Sequence, residues 1–146
     1  MSATSPSLPA PRAGTPAPIA AILESGAFRL FARVLLTLPF WLSGLVKLFG
    51  FSAAVGEMAH FGLHPPALFA VATIVTQLGG SALVISGRMA WLGAGAMGIF
   101  TLLTIPIAHR FWELEGEMAM LEMFFAIEHM AVIGGLMLAA ILDHRK

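Results

Sequence analysis

The sequence predicts an all-α, polytopic membrane protein: a bundle of four transmembrane helices with both termini on the cytoplasmic side. Three observations carry that prediction. Hydrophobic residues make up 58% of the 146-residue chain and charged residues only 11%, which is more apolar surface than a soluble chain of this size can hide. The apolar residues are gathered into four runs, each near the roughly 20 residues that cross about 30 Å of hydrocarbon. Basic residues are sorted by side, with Arg12, Arg29, Arg33, Arg88, Arg145 and Lys146 on one and Lys47 and Arg110 on the other. That asymmetry places the first side in the cytoplasm.

Residues 1–18 hold five of the nine prolines and a single charge, Arg12. Such a segment cannot bury enough to offset its ordering entropy, so it is expected to be a disordered cytoplasmic tail. Residues 19–146 form the single membrane domain that the length allows. Ile19–Phe28 reads as a short amphipathic lead-in at the interface. The four runs follow as Leu30–Phe49, Ala67–Ser86, Ala90–Ala108 and Met118–Leu142. Each is read as a helix because an open-ended segment in lipid must satisfy its own backbone. Pro39 and Pro106 fall inside runs one and three and are expected to kink them. Gly87-Arg88-Met89 is a tight cytoplasmic turn, and Gly50–Pro66 and His109–Glu117 are the longer connections facing outwards. Small residues recur at four-residue spacing in Ala90/Ala94/Gly98, Ala131/Gly135/Ala139 and Ala72/Thr76/Gly80, which lets membrane helices approach closely.

Several functions are excluded at this level. Acidic and basic residues balance at eight each, so there is no basic footprint for nucleic acid. There are no cysteines, hence no disulfide, thiolate metal ligand, iron–sulfur cluster or thiol redox chemistry within the chain. A redox role would draw its electrons from a bound cofactor or a partner protein.

The polar residues inside the fourth run are Glu122, Glu128 and His129. Ionisable groups at membrane depth are costly and point to function. Gln77 lies about ten residues, roughly 15 Å, into the second run, and His129 lies at a similar depth in the fourth. Gln77, Glu128 and His129 are therefore expected in a middle layer, with Lys47, His109 and Glu122 above it. Glu122 and His129 are seven apart and share a helix face, whereas Glu128 points elsewhere. An imidazole can pass protons or ligate metal near neutral pH, and a carboxyl in an apolar site suits proton exchange with a quinone. The same residues also have a structural reading, in which Glu128 pairs with Lys47 or His129 and Gln77 makes an interhelical hydrogen bond. No metal site is expected: His109 and His129 are estimated at about 10–15 Å apart in depth, and the Glu-x-x-His pair of di-metal bundles is missing. Haem held by these two histidines is a minor alternative. His60 and His64, beside Pro65-Pro66, read as ordinary loop residues. Arg29 and Arg33 are placed to snorkel at the inner interface.

The order of features from Phe28 to Leu142 resembles the DoxX family of small four-helix inner-membrane proteins. The matching pieces begin with Arg33-Val34-Leu35-Leu36, Ser43-Gly44-Leu45-Val46-Lys47-Leu48-Phe49-Gly50 and Met58-Ala59-His60-Phe61-Gly62. They continue with Gln77-Leu78-Gly79-Gly80, Gly87-Arg88, His109-Arg110-Phe111-Trp112 and Gly134-Gly135. Family members often carry an acidic residue where Gln77 stands and a Lys-Asn or similar pair where Glu128-His129 stands. The resemblance implies the fold, the inner membrane and a redox association, since a relative is a subunit of a thiosulfate-oxidising enzyme that passes electrons to quinone.

Three functional expectations stand together. The chain is an accessory subunit of a membrane redox system, binding quinone or a similar apolar ligand in the outer half of the bundle through Lys47, Gln77, His109, Glu122, Glu128 and His129. Alternatively it is a non-catalytic scaffold that anchors a partner protein. The third is a small transporter or proton pathway, for which a homo-oligomer would be needed.

Overall fold

The computed structural model describes residues 14–145, and these fold as six α-helices and one short 3₁₀ turn, with no strand among them. Helix α1 is Ala17–Glu24, α2 Gly26–Phe49, α3 Phe51–His60, α4 Pro66–Ser86, α5 Ala90–Ala108 and α6 Gly116–His144, with the 3₁₀ turn at Phe111–Glu113. Four of them, α2, α4, α5 and α6, are long and apolar enough to span a membrane. Four crossings return the chain to the side it started from. One end of the bundle therefore carries the start of α2, the end of α6 and the α4–α5 turn, and the other carries α3 and the α5–α6 connection.

Local chemistry sets the boundaries. Ser25 breaks α1 from α2 and its side chain accepts from the Phe28 N–H at 3.4 Å, which occupies one of the unpaired donors of a helix start. Proline stands in the first turn of α1 and of α4, where its missing N–H costs nothing. Gly87 ends α4 in the left-handed region at φ 69°, the conformation glycine adopts without a Cβ penalty. The Arg33 guanidinium packs directly where a Gly87 Cβ would stand. Arg33 thus seals the α4–α5 turn in addition to its expected place at the interface. Pro39 and Pro106 lie inside α2 and α5. Near the first, the Trp41 indole donates to the Val34 carbonyl at 3.3 Å and the Thr37 hydroxyl to the Arg33 carbonyl at 2.8 Å. These side chains give extra hydrogen bonds to carbonyls of the turn before Pro39.

Two boundaries differ from the sequence reading. The expected tail falls mostly on residues 1–13, outside the described residues, but Ala17 and Pro18 already belong to α1. The connection Gly50–Pro66, read as a loop, contains the ten-residue helix α3. It is too short to span a bilayer and so gives no hydropathy signal. What holds it is Ala54 and Met58, four apart on one face, buried with Ala70 of α4.

The helices are arranged as a curled row rather than a closed ring. α4 packs on α2, α3 and α5, and α5 packs on α6, whereas α2 and α6 meet only sparsely. Within the spanning windows 39% of α4 is buried against 11% of α6, so α4 is the central helix and α6 turns most of its surface to lipid. The end with the termini is filled: Phe40, Val84, Ala94, Met97 and Leu136 are buried together with Leu36 and Val132 against them. Closest approach is at Gly80 and Gly93, where a Cβ on Gly93 would stand 2.5 Å from the Gly80 carbonyl oxygen. Of the small-residue stripe on α5, Ala90 and Ala94 are buried in this core, the Cβ position of Gly98 is open, and Gly93 makes the close approach to Gly80. On the far side, Gly135 of α6 sits against Leu36 of α2.

Candidate functional site

Above that filled half, towards α3, the bundle is hollow. A cavity of about 610 Å³ lies between α2, α4, α5 and α6 with α3 contributing to its wall, a volume in the range of small-molecule sites. Most of its lining is apolar, supplied by residues such as Phe40, Phe69, Phe100 and Ile107. Five of the six residues singled out by sequence line it: Lys47, Gln77, His109, Glu122 and His129. Glu128 does not. It is exposed on the outer surface of α6 among Phe124, Ile127 and Met130.

Each polar group is held in a defined way. Lys47, in the last turn of α2, meets Glu57 of α3 at 2.8 Å. The short helix thus supplies the counter-charge that sequence reasoning sought in Glu128. His109 caps α5, and its Nδ1 lies 2.7 Å from Glu122 Oε2 on α6. Both side chains of that pair are largely buried, at 18% and 20% exposure, so the contact is a carboxyl–imidazole hydrogen bond in a partly dry setting. His129 Nδ1 is 2.8 Å from the Phe125 carbonyl one turn earlier. A carbonyl only accepts, so this nitrogen carries the hydrogen and donates it.

The rings of His109 and His129 are in edge contact, with centroids 4.6 Å apart. This corrects the expected separation of the two histidines into different layers. Helix α6 begins at Gly116, and His109 falls beside Phe125, at a ring distance of 5.7 Å. About two turns of α6 therefore project past the end of α5, which draws Glu122, His109 and His129 into one cluster. Among the described residues no group of three or more His, Asp or Glu side chains is arranged to hold a metal ion.

Gln77 is the deepest polar group. It is 5% exposed, and its Nε2 donates to Ser43 of α2 at 3.3 Å, the interhelical bond expected of it. Its Oε1 is buried with no partner among the described residues. An unsatisfied buried acceptor costs about 1–3 kcal/mol, so Gln77 carries a stability cost in the wall of this cavity. Sequence reasoning missed Ser43, Glu57, Thr101 and Thr104 on the same walls. Ser43 and Thr104 carried no signal beyond ordinary helix polarity. Glu57 carried one, since it follows Lys47 by ten residues across the helix-breaking Gly50.

A family model described as DoxX matches residues 28–110, more than half of the chain. The chain belongs to the DoxX family. The matched stretch spans all but the first residues of α2 and continues through α5 to just past His109, so Lys47, Gln77 and His109 lie within it and α6 follows it. This DoxX protein is also similar to "Inner membrane protein YphA" of Escherichia coli (strain K12), at 29% identity over 112 residues, 77% of this chain and 80% of that one. No solved structure gives a significant match. With its four spanning helices, the chain is a multi-pass inner-membrane protein.

Proposed function

We propose that this DoxX protein is an accessory subunit of a membrane redox system, and that its cavity binds quinone or a similar apolar ligand. The carrying observation is the combination of an apolar hollow of about 610 Å³ with Gln77, whose buried Oε1 has no partner. An apolar site with a few placed polar groups is the usual design for a lipid-soluble ligand with a polar head. Gln77 and His129 contact the head, and the phenylalanines enclose the ring. Glu122 and His109 form a paired acid and imidazole beside it, able to exchange a proton with a bound head group. With no cysteine to hold a cluster, electrons come from a partner protein or from a bound cofactor of another kind. The orientation belongs to the same proposal. Among the described residues Arg29, Arg33, Arg88 and Arg145 lie towards one end and Lys47 and Arg110 towards the α3 end, an asymmetry that supports a cytoplasmic first end and a cavity in the outer half.

Equilibrium titration of the purified protein with a short-chain quinone tests the ligand. Binding to the unaltered chain that falls at least about tenfold, or about 1.4 kcal/mol, in His129→Ala supports it. A protein that binds none, yet still supports its partner after Gln77→Leu and His129→Ala, is the scaffold reading. For orientation, a cysteine at Glu115→Cys should label from outside and one at Arg88→Cys should not, in a chain with no cysteine of its own. The reverse pattern inverts the topology.

A further inference from the structure

Glu128 is exposed on α6 and makes no hydrogen bond or ion pair among the described residues. It lies about ten residues, roughly 15 Å, into the apolar run that begins at Met118. Long basic side chains snorkel to the head groups, but the short arm of a glutamate cannot reach them from that depth. An ionisable group left there against acyl chains is costly.

Its surroundings form a seam. Leu121, Phe124, Glu128 and Ala131 follow at steps of three, four and three residues and are all exposed, the spacing by which one helix packs along another. Small Ala131 lets a neighbouring backbone come close. Gly135 continues the same face, and there α6 meets α2, since a Cβ on Gly135 would touch Leu36. One heptad nearer the cavity the face has no such neighbour. Helices α2 and α6 meet only sparsely, and Pro39 of α2, part of the cavity lining, is exposed as well. The row of helices is thus open between α2 and α6 beside Glu128.

Charge decides what fits that opening. A second copy inserted in the same sense keeps each residue at its own depth, so a two-fold pair would set Glu128 against Glu128. Nor does such a copy bring a cation to that depth. Lys47 is held by Glu57 at 2.8 Å and Arg110 by Glu113 at 3.2 Å. Arg29, Arg33, Arg88 and Arg145 stand towards the other end, and His129 lines the cavity. We infer that the opening seats a transmembrane helix of a different protein, one that carries a lysine or arginine at mid-depth opposite Glu128. An acid and a base paired inside the membrane relieve each other's cost. The inference deepens the accessory-subunit part of the reading above and does not depend on the quinone.

The test uses Leu/Ala-rich peptides of about 23 residues, long enough to span, with a central Lys, a central Leu, or a Lys moved to one end. Their association with the full chain is measured by Förster transfer in phosphatidylcholine vesicles. The Lys-centred peptide should bind at least about tenfold more tightly than the other two, the worth of one interhelical polar contact in model peptides. In Glu128→Leu, an apolar replacement on a lipid-facing surface, that preference should fall below about threefold. Ala131→Phe should weaken the same peptide by filling the seam. Equal binding of the three peptides, or a preference that survives Glu128→Leu, overturns the inference. So does self-association of the unaltered chain that Glu128→Leu abolishes, because a second copy then covers the face. Docking of the Lys-centred peptide by a chain that binds no quinone upholds this surface and overturns the quinone reading alone; quinone binding without docking does the reverse.

Discussion

The two halves of this bundle are made from the same helices and packed by opposite rules. At the termini end, Leu36, Phe40, Val84, Met97 and Leu136 interdigitate and glycines let backbones touch. At the α3 end the same α2, α4, α5 and α6 enclose a hollow with a buried unpaired amide oxygen and a carboxyl–imidazole–imidazole cluster. Dense packing in the first half lets the second stay open. The open half forgoes dispersion contacts and keeps an unsatisfied acceptor, both of which cost stability. A helix bundle kept for anchoring alone would gain by filling that space.

The sharpest break in this comparison is at Gly93. Gly93→Ala drives a Cβ to 2.5 Å from the Gly80 carbonyl oxygen, a backbone atom that cannot swing away. It should destabilise the bundle by about 3 kcal/mol, at the upper end for overpacking, read as loss of folded protein in a thermal or denaturant titration in detergent. In the hollow half the expectation reverses. Gln77→Leu should change stability by no more than about 1 kcal/mol, because it removes an unpaired acceptor while breaking one bond to Ser43. It should nevertheless cost at least about tenfold in ligand affinity, about 1.4 kcal/mol. A variant that unfolds the protein as severely as Gly93→Ala would make Gln77 part of the scaffold.

Smaller effects sharpen the same contrast. A double-mutant cycle of His109→Ala and Glu122→Gln should give a coupling of about 1 kcal/mol, modest because both side chains keep some exposure. A coupling near zero would mean the contact at 2.7 Å does not persist in the membrane. Least of all is expected from Glu128→Gln, since Glu128 lies off the cavity on the exposed face of α6. Ligand affinity should stay within about 0.5 kcal/mol, and stability should not fall, because an amide costs less than a carboxyl on a lipid-facing surface. A large loss of affinity would return Glu128 to the site.

The spans were legible because hydropathy over some 20 residues is a strong signal, and α5 begins and ends where its run does, at Ala90 and Ala108. Helix α3 was not, because ten residues cannot announce themselves by length and its one buried face rests on Ala54 and Met58. The types of the cavity residues could be read from the cost of placing Lys47, Gln77 or Glu122 at membrane depth. Their partners could not. Pairing depends on how far one helix projects past its neighbour, and the stagger of α6 over α5 brings His109 to His129. It also depends on chain reversal at Gly50, which turns α3 back so that Glu57 reaches Lys47. Both are tertiary facts that no single helix encodes.

The central claim is that the hollow half holds a ligand while the filled half only supports it. Native mass spectrometry of the gently solubilised protein tests it directly, with the unaltered chain and Gln77→Leu measured side by side. A bound small molecule of quinone or quinol mass on the unaltered chain, absent from equally folded Gln77→Leu, is the predicted result. A bare unaltered chain, or a ligand retained unchanged by Gln77→Leu, would contradict it.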